Sequence, residues 1–227
     1  MDPTTRFFGS TSFNRDRSSK LGVVGFLAYF SSCTRGPSVA AELLIAAVGV
    51  NAMLWRTSPA ATEVELLAVD WLRQAVNLPE VCSGLIFDTA STSTFTALLA
   101  AREHVGSDIR ENGLTDGPRL MLYTSEQSHS SVEKAAIAAG LGRKSIRKIK
   151  VDERFRMRAD ALEEAIDEDR QKGYLPAMVC ATVGTTSTGS VDPINKIGEV
   201  ARDHGAWLHV DAAYAGSGAL LPELASK

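Results

Sequence analysis

From Gly84 onward, short apolar runs alternate with longer amphipathic stretches, and that alternation is the tightest constraint on the fold. A short apolar run can be buried on both faces as a strand, while the stretches between repeat their apolar residues at helical spacing. Parallel strands need a long crossover, which a helix supplies, so the alternation predicts a mostly parallel sheet covered by helices, an α/β fold. The predicted strands are residues 85–87, 120–123, 145–150, 177–183 and 207–210, and the predicted helices 92–104, 131–140, 159–172 and 194–204. Asp192-Pro193 reads as a helix N-cap followed by an N1 proline, and Gly173 and Gly205 sit just past helix ends.

Two more helices are predicted ahead of this region. Ala41, Leu44, Ile45 and Val48 set the spacing of one over 38–54, and Val64, Leu67, Trp71, Leu72 and Ala75 that of another over 59–78. Residues 1–20 are rich in Arg, Ser and Asn without periodicity and read as a loosely ordered arm. The organisation is thus an arm over 1–20, a helical segment over 21–80 and an α/β domain over 81–227. With 227 residues, 44% of them hydrophobic, the chain can bury a substantial core. Residues 37–54 are apolar, but Pro37, Glu42 and Asn51 interrupt them, so a buried or interface helix is the reading rather than a membrane span. The first residues lack the apolar core of a signal peptide. A net charge of -3 gives no support for nucleic-acid binding, and the basic run over 143–150 reads as a solvated loop and strand edge. Cys33, Cys82 and Cys180 are odd in number with no CxxC spacing, so neither a disulfide framework nor a zinc site is predicted, and a cytoplasmic setting fits.

Ligands of open α/β sheets collect at the carboxyl ends of the strands. Thr89-Ala90-Ser91, the loop from Ser125 to His129, Gly184-Thr185-Thr186 and Asp211 all fall at such ends. Asp211 closes the run Trp207-Leu208-His209-Val210, where a carboxylate is costly without a cationic partner, and a protonated pyridine nitrogen is such a partner. Thr89-Ala90-Ser91 opens a helix and offers hydroxyls and free N–H groups at the positive end of its dipole, although alone it reads as an ordinary N-cap. His129 alone reads as a surface or structural histidine. His104 and His204 end amphipathic helices, His209 packs within a strand, and their spacing fits no metal motif.

Three segments, Trp55-Arg56-Thr57-Ser58-Pro59-Ala60-Ala61-Thr62-Glu63, Ser125-Glu126-Gln127-Ser128-His129-Ser130-Ser131 and Trp207-Leu208-His209-Val210-Asp211-Ala212-Ala213-Tyr214-Ala215-Gly216, carry a resemblance. In that order they resemble the pyridoxal phosphate (PLP) dependent group II decarboxylases, which include the aromatic L-amino acid decarboxylases, over most of residues 25–225. The resemblance implies a PLP fold-type I large domain, here incomplete, a small L-amino acid substrate and a homodimer. Phe87-Asp88-Thr89-Ala90-Ser91-Thr92-Ser93-Thr94 resembles the family's phosphate loop, so Thr89, Ala90 and Ser91 are the implied phosphate ligands. Relatives often have Gly at the position of Asp88 and an acid at that of Thr92. His129 is the implied imidazole stacked on the cofactor ring, Asp211 the partner of its nitrogen, Ala213 the small residue on its other face, and Thr186 a hydroxyl near a ring substituent or the substrate. Ser32, in Tyr29-Phe30-Ser31-Ser32, and Trp55 are the implied substrate-pocket residues, although Val23-Val24 replaces the usual His-Pro and Trp55 reads equally as core packing.

The family's cofactor-bearing lysine, in an Asn-Pro-His-Lys motif, is expected some tens of residues beyond Asp211 and past Lys227, with a catalytic Tyr loop further on. The expectation is therefore a piece of a decarboxylase, short at both ends and inactive alone. Two alternatives stand beside it: another fold-type I enzyme such as an aminotransferase, against which the Trp55 segment argues, and a non-catalytic subunit that pairs with an intact decarboxylase. Aromatic amino acids lead as substrates by resemblance, with glutamate and other L-amino acids open.

Overall fold

The computed structural model describes residues 35–106, 109–115, 117–221 and 223. The chain divides into two compact units, Met1–Thr62 and Glu63–Lys227.

In the first unit, helix α1 (Gly36–Val48) carries a proline in its first turn and ends at Gly49, whose φ of 64° is left-handed and whose N–H donates to the Ile45 carbonyl. That residue ends the helix six residues before the predicted 54, because a left-handed glycine cap redirects the chain. The Thr57 hydroxyl then donates to the carbonyls of Asn51 and Leu54 and closes a turn containing Trp55. Helix α2 (Pro59–Ala75) crosses the boundary, with most of its length in the second unit, and stops just ahead of Asn77, whose φ of 56° is again left-handed. Neither α1 nor α2 has a buried residue.

The second unit is built on a parallel sheet in the order β2-β1-β3-β4, formed by β1 (Leu120–Ser125), β2 (Ile146–Ile149), β3 (Leu175–Thr182) and β4 (Trp207–Asp211). Its helices are α3 (Ala90–Val105), the single turn α4 (Ile109–Asn112), α5 (Ser130–Ala138), α6 (Ala159–Gln171) and α7 (Ile194–Asp203). All of β1 and all of β3 but Leu175 are buried, because both faces are covered and alternate side chains point to opposite faces. On one face Leu122, Met178 and Cys180 pack against Leu98 and Ala101 of α3 and Val132, Ala135 and Ala136 of α5. On the other, Met121, Tyr123, Val179 and Ala181 pack against Leu162 and Ile166 of α6 and Ile197 of α7. Each fully buried Leu or Ile here contributes roughly 1.5–3 kcal/mol.

The crossover through α5 carries the chain from β1 outward to β2, and that through α6 returns it past β1 to β3. The direction of winding therefore reverses between β1 and β3, which opens a crevice at their carboxyl ends. The His104 ring, near the end of α3, stands 5.9 Å from that of Trp207 at the start of β4. Helix α3 thus runs antiparallel to the strands, with its first turn at the carboxyl edge.

Two expectations are corrected. Residues 85–87 are not a strand: no described strand lies beside them, and the Ile86 N–H donates instead to Glu65 Oε1 at 3.1 Å. Asp192 is not a helix cap. Helix α7 has no side-chain cap; Asp192 is 2% exposed, and its carboxylate accepts the N–H groups of Met157 (2.7 Å) and Thr182 (2.8 Å). Gly173 and Gly205 do lie past helix ends, at φ 79° and 67°, and the next N–H in each case closes back to Asp169 or Ala201.

Both arginines of the basic run are held in ion pairs. Arg143 meets Glu133 at 2.7 Å, and Arg147 reaches Glu168 at 2.8 Å and the buried Asp169 at 3.1 Å. The Tyr123 hydroxyl also donates to Asp169, and burial together with that carboxylate pushes the phenol pKa up. Among the described residues no helix is long and apolar enough to cross a membrane, and no group of three His, Cys, Asp or Glu is placed to hold a metal ion.

Candidate functional site

Three neighbouring strands end on the carboxyl edge, and each delivers a different chemistry. After β1 the chain makes a serine turn in which Gln127 N–H donates to Ser125 Oγ at 3.1 Å and the Ser125 and Ser128 hydroxyls lie 3.2 Å apart. His129 then caps α5, its Nδ1 accepting the Ser131 N–H at 3.2 Å and lying 2.9 Å from Ser131 Oγ. A ring that accepts through Nδ1 carries its proton at Nε2 when neutral, and the cap fixes its orientation while the residue stays exposed.

After β3, Gly184 turns at φ 82°, and a Cβ built there would meet the Ala215 Cβ at 2.5 Å. Only glycine satisfies both the backbone and that close approach. The N–H groups of Gly184 and Thr185 both donate to the Ser190 carbonyl at 3.0 Å. Thr185 is buried, with its hydroxyl 2.6 Å from that of Thr188 and 2.9 Å from that of Ser190, so it holds the loop shut while Thr186 is exposed.

At the end of β4, Asp211 pairs in register with Thr182 and its carbonyl accepts the Val183 N–H at 2.8 Å. Its Oδ1 accepts the Ala213 N–H at 3.1 Å, which makes a tight turn and leaves Ala213 exposed. Asp211 is half-buried and makes no ion pair with a described residue. One turn of strand deeper, His209 Nε2 is buried without a hydrogen-bond partner among the described residues. Burial pushes the His209 pKa down, and the neighbouring Asp211 charge acts against that.

The first turn of α3 reaches the same edge. Thr89 caps it, accepting the Thr92 N–H at 3.2 Å, so the ordinary capping role is present. The N–H groups of Ala90 and Ser91 have no intrahelical acceptor and remain available to an anion. Trp55 is 61% exposed and belongs to the first unit. Ser32 lies outside the described residues.

The donor set suits a flat, protonated nitrogen heterocycle that carries a phosphate. A half-buried carboxylate without a cation would take the ring nitrogen, an oriented imidazole and an alanine would flank the ring, and a helix N-terminus would take the phosphate. Sequence spacing does not reveal the support for this set. Asp192 bonds to residues 35 and 10 positions away, and Ser190 Oγ donates to the Phe155 carbonyl 35 positions away, contacts that no local pattern marks.

Residues 24–227 match the pyridoxal-dependent decarboxylase conserved domain. The chain is 40% identical over 206 residues to tyrosine decarboxylase 2 of Arabidopsis thaliana, with 87% of this chain and 37% of the relative covered. It is 41% identical over 211 residues to the aromatic-L-amino-acid decarboxylase of Sus scrofa, again over 87% of this chain and 43% of the relative. The Oryza sativa TDC solved with PLP and tryptamine superposes with a TM-score of 0.80 at 37% identity, over 86% of this chain and 42% of that one. The chain thus spans about 40% of the length of these proteins.

Proposed function

Because the chain belongs to the pyridoxal-dependent decarboxylase family, whose cofactor is PLP, we propose that it supplies part of the cofactor site of an L-amino acid decarboxylase that releases CO2 and leaves an amine. The observation that carries the reading is the meeting of Asp211, Thr186, His129 and the first turn of α3 at the carboxyl edge of one parallel sheet. Residues 81–227 form the partial PLP-binding domain of this reading; the arm expected over 1–20 lies outside the described residues. PLP, when bound, supplies the electron sink for breaking the Cα–carboxylate bond. Asp211 would hold a proton at the ring nitrogen, since its carboxylate meets no cation among the described residues. Ala90 and Ser91 bind the phosphate through N–H groups, with Thr89 shaping the turn. His129 and Ala213 would flank the ring, and Thr186 would offer a hydroxyl to a ring substituent or to the substrate. Ser32 and Trp55 stand as substrate-pocket residues on the family resemblance alone.

The names of the relatives favour an aromatic amino acid as substrate. A homodimer is supported by the bare apolar faces of α1 and α2. Cys82 and Cys180 are both free thiols, which suits a reducing, cytoplasmic setting. On this reading no lysine of these 227 residues is assigned to the cofactor, and the segment tested alone is expected to bind PLP without a covalent link and to sustain no turnover.

The test is to incubate the purified chain with PLP, reduce with borohydride and map pyridoxyl-lysine by peptide mass spectrometry, with a PLP titration of Asp211→Ala alongside. The expected result is saturable binding that Asp211→Ala weakens at least tenfold, with no single lysine labelled. One specifically labelled lysine accompanied by amine production would overturn the inactivity, and absence of any binding would overturn the cofactor reading.

A further inference from the structure

Asp192 is a buried carboxylate facing two backbone donors from different parts of the chain. Its Oδ1 accepts the Met157 N–H at 2.7 Å and its Oδ2 accepts the Thr182 N–H at 2.8 Å, while its own N–H donates to the Thr182 carbonyl at 3.0 Å. The segment between Thr182 and Asp192 is a closed loop, with Val183 bridged to Val191 and Gly184 and Thr185 tied to Ser190. Thr186 sits at the tip of that loop. On the other side, the turn 152–157 is itself stiffened: Asp152 accepts the N–H groups of Arg154 and Arg156, and Phe155 is held at φ 60°, where a bulky residue is strained. Ser190 Oγ donates to the Phe155 carbonyl at 2.9 Å, a second tie between the same two segments.

We propose that Asp192 is a positioning residue whose carboxylate clamps the base of the 183–191 loop to the 152–157 turn, and so fixes Thr186 and the Thr182–Asp211 pair toward the cofactor. The inference rests on the PLP reading above for its purpose and on the observed hydrogen bonds for its clamp. Three features make the residue specific to the task. Both oxygens must accept, which a carboxylate does and an amide does not, since asparagine would turn an NH2 against one of the two N–H groups. Burial pushes its pKa up and the two N–H bonds pull it down, while the neighbouring carboxylate Asp152 adds to the rise, so the two N–H donors are what favours its charged form. Finally, Thr182 is the residue in register with Asp211, and Val183 N–H donates to the Asp211 carbonyl, so a displacement at Thr182 reaches the proposed partner of the ring nitrogen directly.

The experiment uses this chain and its Asp192→Asn variant, with two readouts: amide hydrogen exchange by mass spectrometry, and PLP affinity by titration. Asp192→Asn should speed exchange at least tenfold in peptides covering 152–157 and 182–191, while peptides of β1 and α5 keep their protection, and should raise the PLP Kd about tenfold. Ser190→Ala should loosen the same two segments to a smaller extent, which keeps the test available should Asp192→Asn not fold. Unchanged exchange in both segments, or a loss of protection that spreads evenly across the sheet, would overturn the positioning role. A loosened loop with unaltered PLP affinity would overturn its connection to the cofactor. Failure of the unmodified chain to bind PLP would sink the cofactor reading alone, since the exchange contrast decides the clamp independently.

Discussion

Helix α1 and strand β1 are both apolar, yet Leu43, Leu44 and Val48 of α1 are 67%, 66% and 74% exposed whereas Leu122 and Tyr123 of β1 are fully buried. The same contrast holds between α2, with Trp71 at 63%, and β3, with Met178 and Val179 at 0%. Spacing of apolar residues therefore decides conformation, while burial is decided by whether a second surface exists to meet them. The sheet carries its own cover on both faces. The two leading helices present apolar area that contributes nothing to the stability of the described chain until something covers it.

The largest test of that contrast is a pair of identical truncations. Leu122→Ala should lower the unfolding free energy by about 3 kcal/mol, from lost transfer energy plus a cavity between α3, α5 and the sheet. Leu44→Ala should stay within about 0.5 kcal/mol, because its side chain already faces water. Urea unfolding of both variants reads the difference, and equal losses would mean that α1 is packed in solution. Next comes a contrast of charges. Asp169 is 1% exposed and serves Tyr123, Arg147 and Lys172, so Asp169→Ala should cost about 2 kcal/mol by stranding the Arg147 charge and the Tyr123 hydroxyl. Asp70 on α2 pairs with Arg73 at 2.8 Å with both side chains still reached by solvent, and Asp70→Ala should shift the unfolding midpoint far less than Asp169→Ala does.

The same reasoning explains what the sequence made legible. Parallel strands and their helices were readable because each is written in a local run of sixteen residues or fewer, and only the isolated run 85–87 misled among the strands, since extended apolar residues become a strand only where a neighbour exists. The Asp211, His129 and Thr89 positions were readable as strand and helix ends. Asp192 was not, because Asp-Pro ahead of a helix has the pattern of a cap and nothing nearby in sequence announces Met157. Likewise Thr185 and Thr186 are indistinguishable as letters, and only the Thr188 and Ser190 hydroxyls assign the first to the loop's interior.

A third test sharpens the comparison from the side of association. If the apolar face of α1 is an interface between two copies, Leu43→Glu with Leu44→Glu should weaken self-association tenfold or more, roughly the effect of removing one buried leucine contact, and leave the unfolding midpoint of the monomer in place. Sedimentation across a concentration series measures it; unchanged association would remove α1 from the interface.

The smallest effect distinguishes the two regions by pH. Helices α1 and α2 bury no ionisable group, whereas β4 carries His209, which is desolvated and has its pKa pushed below the ordinary 6.5. A histidine with a depressed folded pKa binds fewer protons folded than unfolded between the two values, so stability is full above 6.5 and falls as the pH drops below it. Asp192 has the opposite sign, because a carboxyl raised by burial gains stability as it is protonated, and it cannot supply that fall. Thermal midpoints between about pH 7.5 and 5 should therefore decline by an amount worth under about 1 kcal/mol, and His209→Gln, which never charges, should flatten the decline. A slope that survives in His209→Gln would move the proton uptake to another group and show that burial at the end of β4 is looser than at β1.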